Sequence, residues 1–220
     1  MDQLISTDPF AAMTRPRVVS PPPDPFTADE RDRMLGWFFE RQRSYHPFLL
    51  TLFYTGMRPS EVAALRWGDV DVETGAVAIS RSRYLGGEGA PKTAQSYRTI
   101  WLLPIVRSQL KSVKPLRADA EQFVFTNART GGPIHQGERQ REFWKRPIRA
   151  LNIRPRKFYA TRHTFISWAL TKGANLKWLA EYCGTSVAMI ERRYGRFLHV
   201  DGQDPMSVLL DAAARGRRSG

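Results

Sequence analysis

The chain has 220 residues, 42% of them apolar and 11% aromatic, enough for one hydrophobic core with room for an appendage. Thirty-four Lys and Arg against twenty-one Asp and Glu leave a formal charge of +13, so a polyanion is the expected partner, because a basic face gains affinity by releasing counterions from phosphates. One cysteine, Cys183, excludes an intramolecular disulfide and a Cys-rich zinc site, and the four histidines (His46, His135, His163 and His199) show no metal-ligand spacing.

The opening stretch, residues 1–26, reads as a linker: Pro16, Pro21, Pro22, Pro23 and Pro25 favour an extended polyproline conformation over a packed core. It begins Met1-Asp2-Gln3, without a cationic and then apolar signal segment. The longest apolar run, residues 48–54, is far below the roughly 20 residues that cross a bilayer, so the expectation is a soluble, cytoplasmic chain without membrane contact. Order is expected to begin at Thr27-Ala28-Asp29-Glu30, a capping box, ahead of a helix carrying Met34, Leu35, Phe38 and Phe39 on one face. A second helix is predicted from Pro47 to a stop at Gly56, and a third from Pro59 to about Trp67.

Val70, Val72, Val77 and Ile79 around Glu73-Thr74-Gly75 read as a hairpin, Gly86, Gly87 and Gly89 as a flexible turn, and residues 99–103 as a strand. Pro104 opens a helix to about Val113, and Phe123-Val124-Phe125 is strand-like. From His135 the pattern is helical, broken at Pro147 and Pro155, with stops at Gly173 and Gly184. The predicted class is therefore mainly α with one small antiparallel β-sheet (α+β).

Residues 139–157 hold eight cations (Arg139, Arg141, Lys145, Arg146, Arg149, Arg154, Arg156 and Lys157) against one acid, Glu142. Arg141, Lys145 and Arg149 share a helical face if Pro147 only kinks the helix, and the shortage of carboxylates favours phosphate contact over a solvated face. Arg58 precedes Pro59, is pushed into an extended conformation, and sits beside the open amides of the next helix. There it suits a doubly liganded phosphate, or else forms a structural pair with Glu61. Arg162 lies in line with the apolar stripe Phe165, Ile166, Ala169 and Leu170, where its fixed charge needs an acidic side chain or a phosphate. His163 points about 100° away from it and reads as a hydrogen-bonded structural histidine. Tyr194 lies on a stripe with Val187 and Ile190, flanked by Arg192, Arg193 and Arg196, whose charge would stabilise a phenolate.

In order, these pieces resemble the tyrosine recombinase, or phage integrase, family over residues 24–200. Gly56-Met57-Arg58-Pro59-Ser60-Glu61 is similar to its first arginine box, Lys92-Thr93-Ala94-Gln95-Ser96-Tyr97-Arg98 to its β-hairpin lysine segment, Arg162-His163-Thr164-Phe165 to its second arginine box, and Arg193-Tyr194 to its nucleophile. The resemblance implies a catalytic-domain fold over residues 27–200 and site-specific recombination of double-stranded DNA, as in a phage, prophage or mobile element. Tyr194 would attack the scissile phosphate to leave a 3′-phosphotyrosyl link. Arg58 and Arg162 would clamp its oxygens, Lys92 would protonate the departing 5′-oxygen, and Glu61 would orient Arg58. No metal, ATP or other cofactor is implied.

The sequence departs from the family pattern at two places: Tyr159 stands where histidine usually precedes the second arginine, and Thr185 where histidine or tryptophan precedes the nucleophile. Both keep a hydroxyl that donates to a phosphate oxygen, and neither serves as a base near neutrality. Slower strand cleavage is the expectation, with a catalytically impaired DNA-binding module or a type IB topoisomerase-like activity as the alternatives. Residues 1–26 are too short for the family's second, clamping domain, so the sequence reads as a catalytic domain alone, binding DNA weakly and with steep salt dependence. Residues 205–214 suggest a helix that docks on its own domain or on a neighbouring protomer, followed by a basic tail of Arg215, Arg217 and Arg218. A monomer that assembles as a tetramer on DNA is implied.

Overall fold

The computed structural model describes residues 21–84, 87–89, 97–134 and 138–198, the side chains of residues 84 and 138–141 excepted. Lys92, residues 1–20, the expected 205–214 helix and the basic tail lie outside the described residues.

Helix α1 (Ala28–Arg41) starts at the expected capping box: the Thr27 hydroxyl accepts from the Glu30 amide at 3.1 Å, and the Glu30 carboxylate accepts from the Thr27 amide at 2.8 Å. Met34, Leu35 and Phe38 face the core, whereas Phe39 is 47% exposed, with the Arg43 guanidinium and the His46 ring against it. The segment before α1 packs rather than hangs free. Phe26 is buried edge-on against Phe53 and Trp144, and its amide donates to the Thr164 hydroxyl at 2.8 Å. Order thus extends ahead of the predicted start.

Helix α2 (His46–Thr55) is apolar on nearly every side and forms the centre of the core; Gly56 ends it in the left-handed region, φ 62°. A Cβ there would lie 2.4 Å from the Phe165 ring, so glycine is required on both conformational and packing grounds. Helix α3 (Pro59–Val62) is a single turn, shorter than predicted. Backbone bonds from Trp67 to the Gln122 carbonyl and from Val124 to the Leu65 carbonyl draw residues 65–67 into an extended path. These tertiary bonds override local helical propensity.

Two two-stranded antiparallel sheets replace the single sheet expected. β1 (Ala76–Ile79) and β4 (Arg98–Trp101) pair with Val77 opposite Ile100. β2 (Ser82–Tyr84) and β3 (Gly87–Gly89) form the second, so Gly87 and Gly89 belong to a strand and not a turn. Phe123 makes only an isolated bridge to Arg66. Helix α4 (Pro104–Val113) follows β4 as predicted, and α5 (Glu138–Ala150) runs through Pro147 without a break. Helices α6 (Ala160–Thr171), α7 (Leu176–Cys183) and α8 (Val187–Tyr194) complete the domain. Asn175 and Ser186 cap α7 and α8 with their side chains, and a short 3-10 turn, Gly195–Phe197, follows α8. No helix among the described residues is long and apolar enough to cross a membrane.

The main core joins α1, α2, β1, β4, α4 and α5 around Phe38, Phe48, Phe53, Ile100 and Leu110. A second cluster of Phe165, Ile166, Leu179, Cys183, Ile190 and Tyr194 binds α6, α7 and α8 together. Helix α6, buried along most of its surface, packs against α2 on one side and α7 on the other. The α2–α3 joint, the start of α6 and the end of α7 therefore meet.

Candidate active site

Arg58 stands at the joint between Gly56 and α3, extended at φ −67°, ψ 142°, as its place before proline requires. Its guanidinium donates to Glu61 Oε1 at 2.6 Å and to the Gly184 carbonyl at 2.7 Å, while its amide donates to Glu61 Oε2 at 2.8 Å. Arg162, only 2% exposed, projects from the first turn of α6 and donates to the Gly56 carbonyl at 2.8 Å and the Cys183 carbonyl at 2.7 Å. Two arginines distant in sequence thus hold consecutive carbonyls at the C-terminus of α7, where the helix leaves acceptors unmet. Burial of Arg162 disfavours its charge, but Tyr159, Cys183, Glu61 and Tyr194 together hold its pKa above the ordinary value. Among the described residues no carboxylate bonds this charge directly; main-chain oxygens and the field of Glu61 answer it.

Glu61 has a side chain only 1% exposed and serves two arginines. Arg98, on β4, donates to its two oxygens at 3.2 and 2.9 Å and to the Tyr182 carbonyl at 2.8 Å. Burial raises the Glu61 pKa, but bonding and attraction to Arg98, then to Arg58, more than offset it and keep the carboxylate ionised. Arg98 belongs to the Lys92–Ile100 stretch, yet nothing in its spacing marks it as a partner of Glu61. Gly184, left-handed at φ 64°, has Arg98 packed where a Cβ would stand, 2.7 Å from Nη1.

Tyr194 ends α8 and is 4% exposed, with its hydroxyl 2.6 Å from His163 Nδ1. The expectation of an arginine-stabilised phenolate is not met. Burial drives the phenol pKa well above its ordinary range, and the opposing pull of Arg162 and Arg193 does not prevail. The flanking arginines are turned elsewhere: Arg192 to Met189 Sδ, Arg193 to the Pro21 carbonyl and Arg196 to the Pro23 carbonyl. His163 is hydrogen-bonded as expected, and its partner is the Tyr194 hydroxyl. Burial, then Arg193 and Arg162, lower its pKa to about 4, so the ring is neutral near pH 7. The signal lay in helical phase: if Arg162 faces α7, the next residue turns toward α8.

Tyr159, 41% exposed, places its ring 5.1 Å from that of His163, one turn before it. Thr185 follows the Gly184 carbonyl that Arg58 holds, and Ser186 rather than Thr185 caps α8. Tyr182 is committed structurally, its hydroxyl donating to the Trp101 carbonyl at 2.8 Å and its ring stacked on Phe165.

The basic run divides. Arg156 is not available to a partner: its side chain is 5% exposed, paired with Asp24 at 3.2 Å and Glu30 at 3.0 Å and laid over the Phe26 ring. Arg154 pairs with Asp24 at 2.5 Å, and Glu142 takes both Lys145 at 3.1 Å and Arg149 at 3.6 Å. Arg146 and Lys157 are exposed and outside every ion pair among the described residues. The side chains of Arg139 and Arg141 lie outside the described set. Among the described residues no group of acids, histidines and cysteines could hold a metal.

A mostly helical domain with small antiparallel sheets, arranged in this way, has the fold of tyrosine recombinase catalytic domains. It superposes on the Tn1549 transposon integrase, solved in complex with transposon right end DNA, with a TM-score of 0.69 at 20% identity, covering 89% of this chain and 67% of that one. The catalytic domain of bacteriophage HP1 integrase gives a TM-score of 0.58 at 18% identity, over 87% of this chain and 93% of that one. The family model described as the phage integrase family matches residues 26–198, and the chain belongs to that family. Prophage integrase IntR of Escherichia coli (strain K12) is 30% identical over 94% of this chain and 56% of its own length. Tyrosine recombinase XerC of Xanthomonas axonopodis pv. citri is 28% identical over 97% of this chain and 66% of its own. The chain thus spans between half and two thirds of the length of these curated relatives.

Proposed function

We propose that this chain is a catalytic domain for site-specific DNA recombination, cleaving and rejoining strands through a 3′-phosphotyrosyl link on Tyr194. The observation that carries this reading is the seating of Arg58 and Arg162 on the adjacent carbonyls of Gly184 and Cys183, beside the helix that ends in Tyr194. Two forked cations at one joint suit a single phosphodiester, whose oxygens gain charge as the phosphorus becomes pentacoordinate. Glu61 orients Arg58 and balances Arg98. Tyr159 and Thr185 donate hydroxyl hydrogen bonds to the phosphate, and Lys92 protonates the leaving 5′-oxygen. Cleavage and rejoining are symmetric in bond energy, so no nucleotide or metal is consumed. The domain works in the cytoplasm on double-stranded DNA, as a tetramer assembled on it. The DNA-bound state of the Tn1549 integrase supports the choice of partner.

Incubation with a nicked suicide duplex tests the reading. A covalent protein–DNA adduct should form, map to Tyr194, and vanish in Tyr194→Phe. Binding without any adduct would instead favour an impaired DNA-binding module, for which the missing histidines at 159 and 185 and the raised phenol pKa speak. Relaxation of supercoiled plasmid without recombinant products would indicate topoisomerase-like activity.

A further inference from the structure

A phenol that attacks phosphorus must lose its proton, and here the phenol is held protonated by burial. Tyr159 and Thr185, at the two places where the family pattern differs, offer hydroxyls that donate to a phosphate. One imidazole stands within reach: His163 Nδ1, 2.6 Å from the Tyr194 oxygen, with the rings 5.6 Å apart and tilted by 51°. The contact is therefore a nitrogen-to-oxygen hydrogen bond and not ring stacking. Adjacent residues on α6 divide the work by helical phase. Arg162 turns to the Gly56 and Cys183 carbonyls, and His163 turns to the end of α8.

We propose that His163 is the general base of the cleavage step, taking the Tyr194 phenolic proton on Nδ1 and returning it when the strand is rejoined. The inference rests on the phosphotyrosine reading above and assigns the tautomer with Nε2 protonated and Nδ1 open. As the bond between the tyrosine oxygen and phosphorus forms, the bond from phosphorus to the 5′-oxygen breaks. The phenol proton passes to Nδ1 and the Lys92 ammonium supplies a proton to the 5′-oxygen. Rejoining reverses each transfer, so no co-reactant is consumed.

The surroundings keep His163 in its open, unprotonated form in the free chain. From α6, Arg162 and the Tyr159 ring face His163; from α8, Arg193 and Tyr194; from the segment before α1, Asp24. Burial, Arg193 and Arg162 keep the ring unprotonated and ready to accept, and Asp24 opposes them weakly. A phosphodiester seated on Arg162 brings a negative charge that offsets one of these cations. The imidazole becomes more basic when DNA is bound, which is when the proton must move.

Single-turnover cleavage of the nicked suicide duplex, followed from pH 4.5 to 8.5, distinguishes a base from a merely structural bond. His163→Gln retains a polar acceptor for the Tyr194 hydroxyl but takes no proton. It should cleave about 10²- to 10⁴-fold more slowly, while binding the duplex with unchanged affinity. His163→Ala should regain part of the rate on addition of imidazole, with the recovery following the neutral imidazole fraction. Wild-type cleavage should fall on acidification as the ring protonates. If His163→Gln cleaves within threefold of wild type at every pH while the wild-type adduct maps to Tyr194, the base assignment is wrong and the phosphotyrosine reading survives. A wild-type chain that binds the duplex and forms no Tyr194 adduct overturns both.

Discussion

Glu61 is the residue on which the site's electrostatics turn, since one buried carboxylate balances Arg58 and Arg98 at once. Removing one partner of a buried ion cluster leaves an uncompensated charge, at a cost of about 3–5 kcal/mol. Glu61→Gln keeps the volume and one acceptor, so its loss should be about 3 kcal/mol, read as a lower denaturation midpoint, with cleavage reduced because Arg58 loses its anchor. The pH dependence has a definite sign. A carboxylate with a depressed folded pKa stabilises the fold fully above its unfolded value of about 4.3 and loses that contribution as pH falls through the folded value. Thermal melts of wild type should therefore drop below about pH 4.3, and the gap between wild type and Glu61→Gln should shrink there. An unchanged gap down to pH 2.5 would mean that Glu61 is not the titrating anchor.

At the scale of elements, glycine placement at the α2–α3 joint matters more than helix propensity. Gly56 combines a left-handed φ of 62° with a Cβ position 2.4 Å from the Phe165 ring. Gly56→Ala should cost at least about 2 kcal/mol through backbone strain and overpacking together. It should also slow cleavage, since the Gly56 carbonyl holds Arg162. Equal stability of Gly56→Ala and wild type in urea would contradict that geometry. The same joint shows what the sequence discloses and what it withholds. Arg58, Glu61, Arg162 and Tyr194 are legible through the order of the family-like motifs, to which local rules add partial support: an arginine before proline, an acid three residues on, a cation on an apolar stripe, and a tyrosine among arginines. The pairings of Arg98 and His163 escape because their partners, Glu61 and Tyr194, come from other elements. The extended path after α3 escapes for the same reason, being imposed by residues 120–124 across the fold. Helix starts at Thr27, Pro59 and Pro104 are legible because capping and proline geometry act within one turn.

For the whole molecule, a net charge of +13 overstates the surface open to a polyanion. Part of the basic run is paired: Arg156, buried, fastens the segment before α1 to the domain through Asp24 and Glu30, while the exposed Lys145 and Arg149 share the single carboxylate of Glu142. Arg146 and Lys157 stay exposed, outside those pairs. Each phosphate neutralised contributes a slope of about 0.9 to the fall of log affinity with log salt on duplex DNA. Arg146→Ala and Lys157→Ala should therefore each lower that slope by about 0.9, with melting temperature unchanged. Arg156→Ala should do the reverse, leaving the slope alone while lowering the melting temperature, because Glu30 loses its cation and Asp24 keeps only Arg154. Anisotropy titrations of a labelled duplex from 50 to 300 mM salt, paired with thermal melts of the same variants, separate the two roles. A slope that falls in Arg156→Ala as far as in Arg146→Ala would show that the 156 guanidinium leaves its carboxylates for the DNA.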